Sequence, residues 1–424
     1  MRYSRLILCI ALMPFAMPAF SQTTREEMFA DINKTAGVYY AYPAPEKLEY
    51  TAPPKGYKPF YISHFGRHGS RYLINESDYT DAIGKLESAD LYGKLSKKGK
   101  DALARLREIY KEAEGRSQDL SPLGVRQHRG VAERMYGAFP EVFAGGKAIS
   151  ARSSMVMRCA MSMVDRLKEL NPGLKISYES SQKYMPLLTG RTPEANEYTG
   201  NKGPWRVEYK KFRERHTNSE RFAAALFSDQ KYVEKYVDTD ALMWDFYWIA
   251  SDLQNTETPI RLYDLFTKDE LFDLWQCFNM QFYYGNANSK PGNGVVMNSY
   301  KPLLRDIIER ADSAIANPET AATLRFAHDS NIVPLTALMR INDCAVAVDE
   351  PDSLYRYWTD FKVSPMCANL QIVFFNKKGG TPNDVLVKFI LNEHEARIPV
   401  ATETYPYYRW AEVKEYYTKI LSEE

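Results

Sequence analysis

Pro59-Phe-Tyr-Ile-Ser-His-Phe65 runs into Gly66-Arg67-His68-Gly69-Ser70-Arg71, and this join decides the fold. The first seven residues read as a buried strand and the glycine-flanked stretch as the loop it enters. Two similar joins lie downstream. Lys147-Ala-Ile-Ser-Ala151 is a short strand, after which Ser153 or Ser154 caps a helix that reaches Leu170 and stops at Asn171-Pro172-Gly173. Thr323-Leu-Arg-Phe-Ala327 is a strand that turns into a helix at His328-Asp329-Ser330-Asn331. Between the first two joins, Ser121 caps a helix with Pro122 in its first position, running to about Gly137. Asn369–Asn376 and Asp384–Asn392 alternate as a hairpin-like pair of strands. Residues 23–58 read as a mixed segment with a Pro-rich, extended lead-in.

Residues 180–300 differ. They are rich in Tyr, Trp and charge, with helical patterns near 220–237, 240–255 and 268–284, followed by a helix at about 299–316. Strands and helices alternating on both sides of a helical block predict an α/β fold: a mainly parallel sheet core flanked by helices, with a helical domain inserted in the chain. The expected core is 22–179 and 296–424, and the expected insertion or cap is 180–295.

Met1–Arg5 is a short basic start, Leu6–Phe20 is apolar, and Ala19-Phe20-Ser21 offers small residues for a cut before Gln22. That layout predicts a signal peptide over 1–21 and a periplasmic or secreted protein. The run is short and broken by Pro14 and Pro18, so it does not suit a membrane span. The formal net charge of +1 gives no global pull towards nucleic acid or an anionic membrane, so any site for an anion is a local cluster. After the leader, Cys159, Cys277, Cys344 and Cys367 permit two disulfides, with Cys344–Cys367 the first pair to test. No spacing supports a zinc site, and oligomeric state is not readable.

The three joins carry Arg67, His68 and Arg71; then Arg152 and, a helical turn in, Arg158; then His328 and Asp329. Ligands of open α/β sheets sit beyond the carboxyl ends of strands, where opening helices add N–H donors. Two histidines, several arginines and one carboxylate suit phosphoryl transfer. Guanidinium forks match phosphate oxygens, a neutral imidazole can attack phosphorus, and a carboxylic acid can protonate the leaving oxygen.

Arg67-His68-Gly69-Ser70-Arg71, with His328-Asp329 far downstream, resembles the histidine acid phosphatases, the acid-phosphatase and phytase branch of the histidine phosphatase superfamily. Leu120-Ser121-Pro122-Leu123-Gly124, Ser153–Ser162 around Arg158-Cys159, Ser364-Pro365-Met366 through Asn369-Leu370, and Val387-Lys388 through Asn392 with Pro399 support the resemblance. The Arg158-Cys159 and Ser364-Pro365 stretches look most like the multiple inositol polyphosphate phosphatases. That subgroup usually reads His-Ala-Glu where this chain has His328-Asp329-Ser330, and the wider family often has Pro where Tyr72-Leu73 stands. The resemblance implies that His68 attacks phosphorus and becomes a phosphohistidine. Arg67, Arg71, Arg158 and His328 then hold the phosphoryl oxygens, and Asp329 protonates the departing alcohol. It implies no metal and no cofactor, a small phosphorylated substrate, and an acidic or mildly acidic optimum.

Arg152 reads as a pocket arginine or a salt-bridge partner. Lys202, Arg206, Lys210, Lys211, Arg213 and Arg215 form a basic run, read as a solvated helix face or as a rim that attracts a multiply phosphorylated substrate. His64 reads as a packed core residue, and His128, His216 and His394 as surface or helix residues without partners. Rival readings are a phosphate-moving mutase and a non-catalytic exported binding protein for phosphorylated or sugar ligands on the same scaffold.

Overall fold

The computed structural model describes residues 23–155 and 161–423; the leader at 1–21 and the Arg158-Cys159 pair lie outside them. Among the described residues eight strands form one mixed sheet: β1 Tyr57–Arg67, β2 Ala148–Ser153, β3 Lys175–Ser180, β4 Thr320–Ala327, β5 Asn369–Lys377, β6 Leu386–Leu391, β7 His394–Ala396 and β8 Tyr408–Arg409. Their order is β3-β2-β4-β1-β5-β6-β7, with β8 on β6. The first four are parallel to their neighbours, and from β1 onward the pairing is antiparallel.

β1 is central, and every residue from Tyr61 to Arg67 is buried, as expected of a strand covered on both faces. Tyr61 and Phe65 join a large apolar cluster on one face, and Ile62 joins a second cluster on the other. The second face is covered by helices Pro122–Ala138 and Met161–Leu170, which supply Val131, Met135, Met163 and Leu167. Ser121 accepts from the Gly124 N–H and caps the first of these helices, with Pro122 at its first position. The large cluster takes in helices Lys301–Ala316, Asp329–Leu338 and Trp410–Ser422.

Among the described residues, every element between β3 and β4 is helical. Helices Thr239–Asp252 and Lys268–Asn286 place Phe246, Tyr247, Leu274 and Met280 in the same large cluster as Tyr61 and Phe65. Helices Ser77–Leu91 and Lys97–Ala113, for which the sequence reading has no element, pack there too.

β3 also lacks a sequence signal, because it is an edge strand with no buried residue and hence no apolar pattern. The lead-in is not simply extended: Thr24–Ala30 is a helix with a Thr23/Glu26 capping box, and Ile32–Tyr39 is a 3₁₀ segment. The suggested Cys344–Cys367 disulfide does not form. Both thiols are free and buried in different clusters, Cys344 in the larger and Cys367 in the second, and Cys277 is free as well. No helix among the described residues is long and apolar enough to cross a membrane.

Candidate active site

Because β2, β4 and β1 are adjacent and parallel, their carboxyl ends emerge side by side. The register sets Arg67 opposite Ala327 and Ser153 opposite Phe326. The His68 N–H donates to Ala327 O (3.2 Å) and the Ser154 N–H to Phe326 O (3.0 Å), so the chain stays stitched past each strand end. The consequence is a meeting of residues 260 apart in sequence: the His68 and His328 rings lie 5.6 Å apart at 66°.

The loop after β1 is clamped against the start of helix Pro122–Ala138. Ser70 O accepts from the Ser121 N–H (2.9 Å) and hydroxyl (3.2 Å), and the Ser70 N–H donates to Gln127 Oε1 (2.8 Å). This contact demands two glycines. A Cβ at Gly69 would lie 2.6 Å from Gly124 O, and one at Gly124 would lie 2.1 Å from Ser70 O. Gly69→Ala is expected to cost about 1–3 kcal/mol through overpacking, read as a lowered urea midpoint at unchanged m-value, with a larger fractional loss of activity because the loop must shift.

His68 is 2% exposed, and its Nδ1 lies 2.9 Å from Gly69 O. A carbonyl oxygen only accepts, so Nδ1 is the donor in this contact. Arg67, fully buried at its side chain, forms an ion pair with Asp329, its Nη2 lying 2.7 Å from Oδ2. Its Nη1 donates to Val38 O (2.5 Å) and Ser364 O (2.7 Å). Arg71 donates to Tyr72 O (2.8 Å) and to the Tyr39 hydroxyl (3.2 Å), with its guanidinium 5.1 Å from the Tyr39 ring centre. His328 caps helix Asp329–Leu338, its N–H bound to Asn331 Oδ1 (3.0 Å), and its Nε2 is 3.4 Å from Ser154 Oγ. Burial pushes the Asp329 carboxyl up, but the charges of Arg67, His328 and Arg71 and the Ser330 N–H outweigh it and hold it below the usual carboxylate range. Two imidazoles, clustered guanidiniums and a paired carboxylate at the carboxyl ends of β1 and β4 have the chemistry to hold a tetrahedral dianion.

Residues 66–392 match the family described as histidine phosphatase superfamily (branch 2). The chain belongs to this superfamily. Multiple inositol polyphosphate phosphatase 1 of Gallus gallus is 23% identical over 393 residues, covering 87% of this chain and 83% of that protein. The Bifidobacterium longum multiple inositol polyphosphate phosphatase, solved with inositol hexasulfate, superposes with a TM-score of 0.73 at 20% identity, over 90% of this chain and 97% of that one. The phytase of D. castellii gives 0.72 at 15% identity, over 96% and 89%. At these identities the structural likeness speaks for the fold.

At the carboxyl ends of β1 and β4 the structure brings together Arg67, His68, Arg71, His328 and Asp329, while Arg158 lies outside the described residues. Arg152 is a buried salt-bridge partner, 3.6 Å from both Glu179 and Asp306 and stacked on Tyr184. Lys202 is exposed. Arg206 donates to Thr199 O (3.0 Å) and Gly200 O (3.3 Å) and covers Trp205, capping a helix end. Arg213 pairs with Asp240, and Arg215 with Glu208 and Asp352. Arg213→Ala with Arg215→Ala is therefore expected to leave KM for a multiply phosphorylated substrate within about twofold, as for exposed ion pairs; selective weakening of that substrate over a monophosphate would restore the rim reading.

Two histidine readings need correction. His128 is 2% exposed, and burial pushes its imidazole down to about 4. Like His64, pushed down to about 3 by burial first and then by His128 and Arg325, it is a neutral core residue against Phe326. His216 has a partner, Asp352, at 2.7 Å.

Sequence reasoning missed several supports. Asn255 accepts from Ser70 Oγ (2.7 Å) and donates to Tyr39 O (2.8 Å), and Asp252, whose carboxyl burial raises to about 7 against the pull of Arg71, Asn255 and Tyr79, lies beside it. Arg191 donates to Asn286 Oδ1 (2.6 Å) and Ser330 O (3.4 Å), next to Asp329. None sits in a motif, so only the fold reveals them.

Proposed function

We propose that this chain hydrolyses phosphomonoesters, without a metal ion, through a phosphohistidine on His68, and that its substrates are inositol polyphosphates. The observation that carries the reading is the meeting of the two histidine loops: the His68 and His328 rings lie 5.6 Å apart beside the Arg67–Asp329 pair, with His68 Nδ1 turned to Gly69 O.

In the first step the Nε2–P bond forms as the P–O bond to the alcohol breaks, and the Asp329 carboxyl gives its proton to the departing oxygen. Arg67, Arg71, Arg158 and His328 offset the charge on the equatorial oxygens, the task a metal performs in other phosphoryl-transfer sites. In the second step water attacks the phosphohistidine, the Asp329 carboxylate takes its proton, and phosphate leaves with His68 neutral again. The substrate class rests on the names of the relatives: two multiple inositol polyphosphate phosphatases, one of them bound to inositol hexasulfate, and a phytase. The leader-like residues 1–21 add export to the proposal, which cell fractionation checks.

The test is a panel of phytate against simple monophosphates, for wild type and His68→Ala. Phosphate release from phytate at a kcat/KM at least about tenfold above that for monophosphates, an advantage of about 1.4 kcal/mol in transition-state binding, is the expected result. Equal values remove the inositol polyphosphate assignment, and no release from any ester removes the hydrolase.

A further inference from the structure

We propose that Asp360 is a positioning residue for the proton donor, orienting Asp329 at long range through Arg67; this rests on the role given to Asp329 above. Asp360 has no exposure to solvent, and its two oxygens serve three N–H donors. Oδ1 accepts from Trp275 Nε1 (3.0 Å) and the Phe361 N–H (2.8 Å), and Oδ2 from the Val38 N–H (3.1 Å). The carbonyl of Val38 then receives Arg67 Nη1, which is shared with Ser364 O. Ser364 hangs from the same residue, since its N–H donates to Asp360 O at 2.8 Å. Both carbonyls that fix Nη1 are thus hung from Asp360, and the opposite arm of the rigid guanidinium, Nη2, holds Asp329.

The backbone is shaped for this contact. Gly37 has φ +58, and a Cβ there would fall 2.3 Å from Asp360 Oδ2, so only glycine lets the carboxylate reach Val38. Three N–H donors use the two oxygens of Asp360 as acceptors only, and with Arg67 they oppose the burial that pushes its carboxyl up to about 6. An amide cannot replace it. With one oxygen and one NH₂, it must face at least one of these N–H groups with another donor.

The experiment is Asp360→Asn, with Trp275→Phe and Gly37→Ala as independent ways into the same contact, each checked by circular dichroism and unfolding midpoint. A misplaced proton donor matters when the leaving group is an alkoxide and little when it is a stabilised anion. Expected is a fall of about 10–100-fold in kcat/KM for glycerol phosphate, against less than about threefold for p-nitrophenyl phosphate. In an Asp329→Ala background the further loss should vanish, because the effect is routed through the missing carboxyl. Folded variants that lose both substrates equally, or neither, overturn the proposal. If Asp360→Asn does not fold, the other two variants decide by the same ratio. Wild-type protein that releases phosphate from neither of these esters nor from phytate sinks the hydrolase reading instead, a separable result.

Discussion

His68→Ala will abolish turnover on every phosphomonoester, lowering kcat by at least about 10⁴-fold, as when a covalent nucleophile is deleted from an otherwise intact site. The remaining cations still bind and polarise the phosphoryl group, but water must then attack directly, with no imidazole to split the displacement into two easier steps. The fold is expected to survive. The Nδ1 hydrogen bond that is lost runs to the next residue's own carbonyl, and the loop stays anchored through Ser70, Ser121 and Gln127. Phosphate release and rapid-quench trapping check it: wild type should show an acid-labile, alkali-stable phosphoryl label that the variant lacks. Residual turnover within tenfold of wild type would mean that another group attacks phosphorus.

Asp329→Ala carries the second large effect, in activity and stability together. Removal of a general acid costs about 10²–10⁴-fold, expected in kcat/KM for alkyl phosphomonoesters. The free protein holds Asp329 ionised beside Arg67, so the donor form must be made as substrate binds. An incoming phosphate dianion competes for the same guanidiniums and repels the carboxylate, raising its proton affinity. Activity on alkyl esters should fall as pH rises above the acid range, and the variant should lose that limb. For stability, the folded carboxyl ionises at lower pH than the unfolded one. The ion pair's contribution is thus complete above about pH 4 and disappears as pH falls through the depressed folded value. Asp329 is 20% exposed at its side chain while Arg67 is fully buried, so loss of the partner is expected to cost about 1–3 kcal/mol at pH 7. Denaturant unfolding at pH 7 and pH 3 should show the gap between variant and wild type shrinking in acid; a constant gap would mean the pair is not ionic.

The residues of this site were legible to different depths, for physical reasons. His68 and Arg71 announce themselves because a strand, two glycines, two arginines and a histidine follow one another within the thirteen positions from Pro59 to Arg71. Ser121, Gly124 and Gln127 were legible as a helix start, but not as the clamp on Ser70. Helix caps and loop clamps use the same residue types, and only the 2.1–2.6 Å Cβ approaches at Gly69 and Gly124 tell them apart. His128 was misread because helix periodicity does not say how deep a helix lies. Arg206 and its neighbours stay open between a solvated face and a substrate rim because a sequence shows charges without their partners; Asp240 and Asp352 are 27 and 137 residues away from Arg213 and Arg215.

By itself, the sequence determined the superfamily and the class of fold: buried strands ending in histidine and arginine, alternation with helices, and a family resemblance that the match over residues 66–392 confirms. These properties are local, written in periodicity and in short motifs. The tertiary structure decided which parallel strands are neighbours, and hence that His68 and His328 face each other. It also turned Arg67 inward to Asp329 and brought Val38, Asn255 and Asp360 beneath the loop. Those outcomes depend on long-range packing and on burial, which set both hydrogen-bond partners and charge states, and neither is encoded in any one stretch of chain.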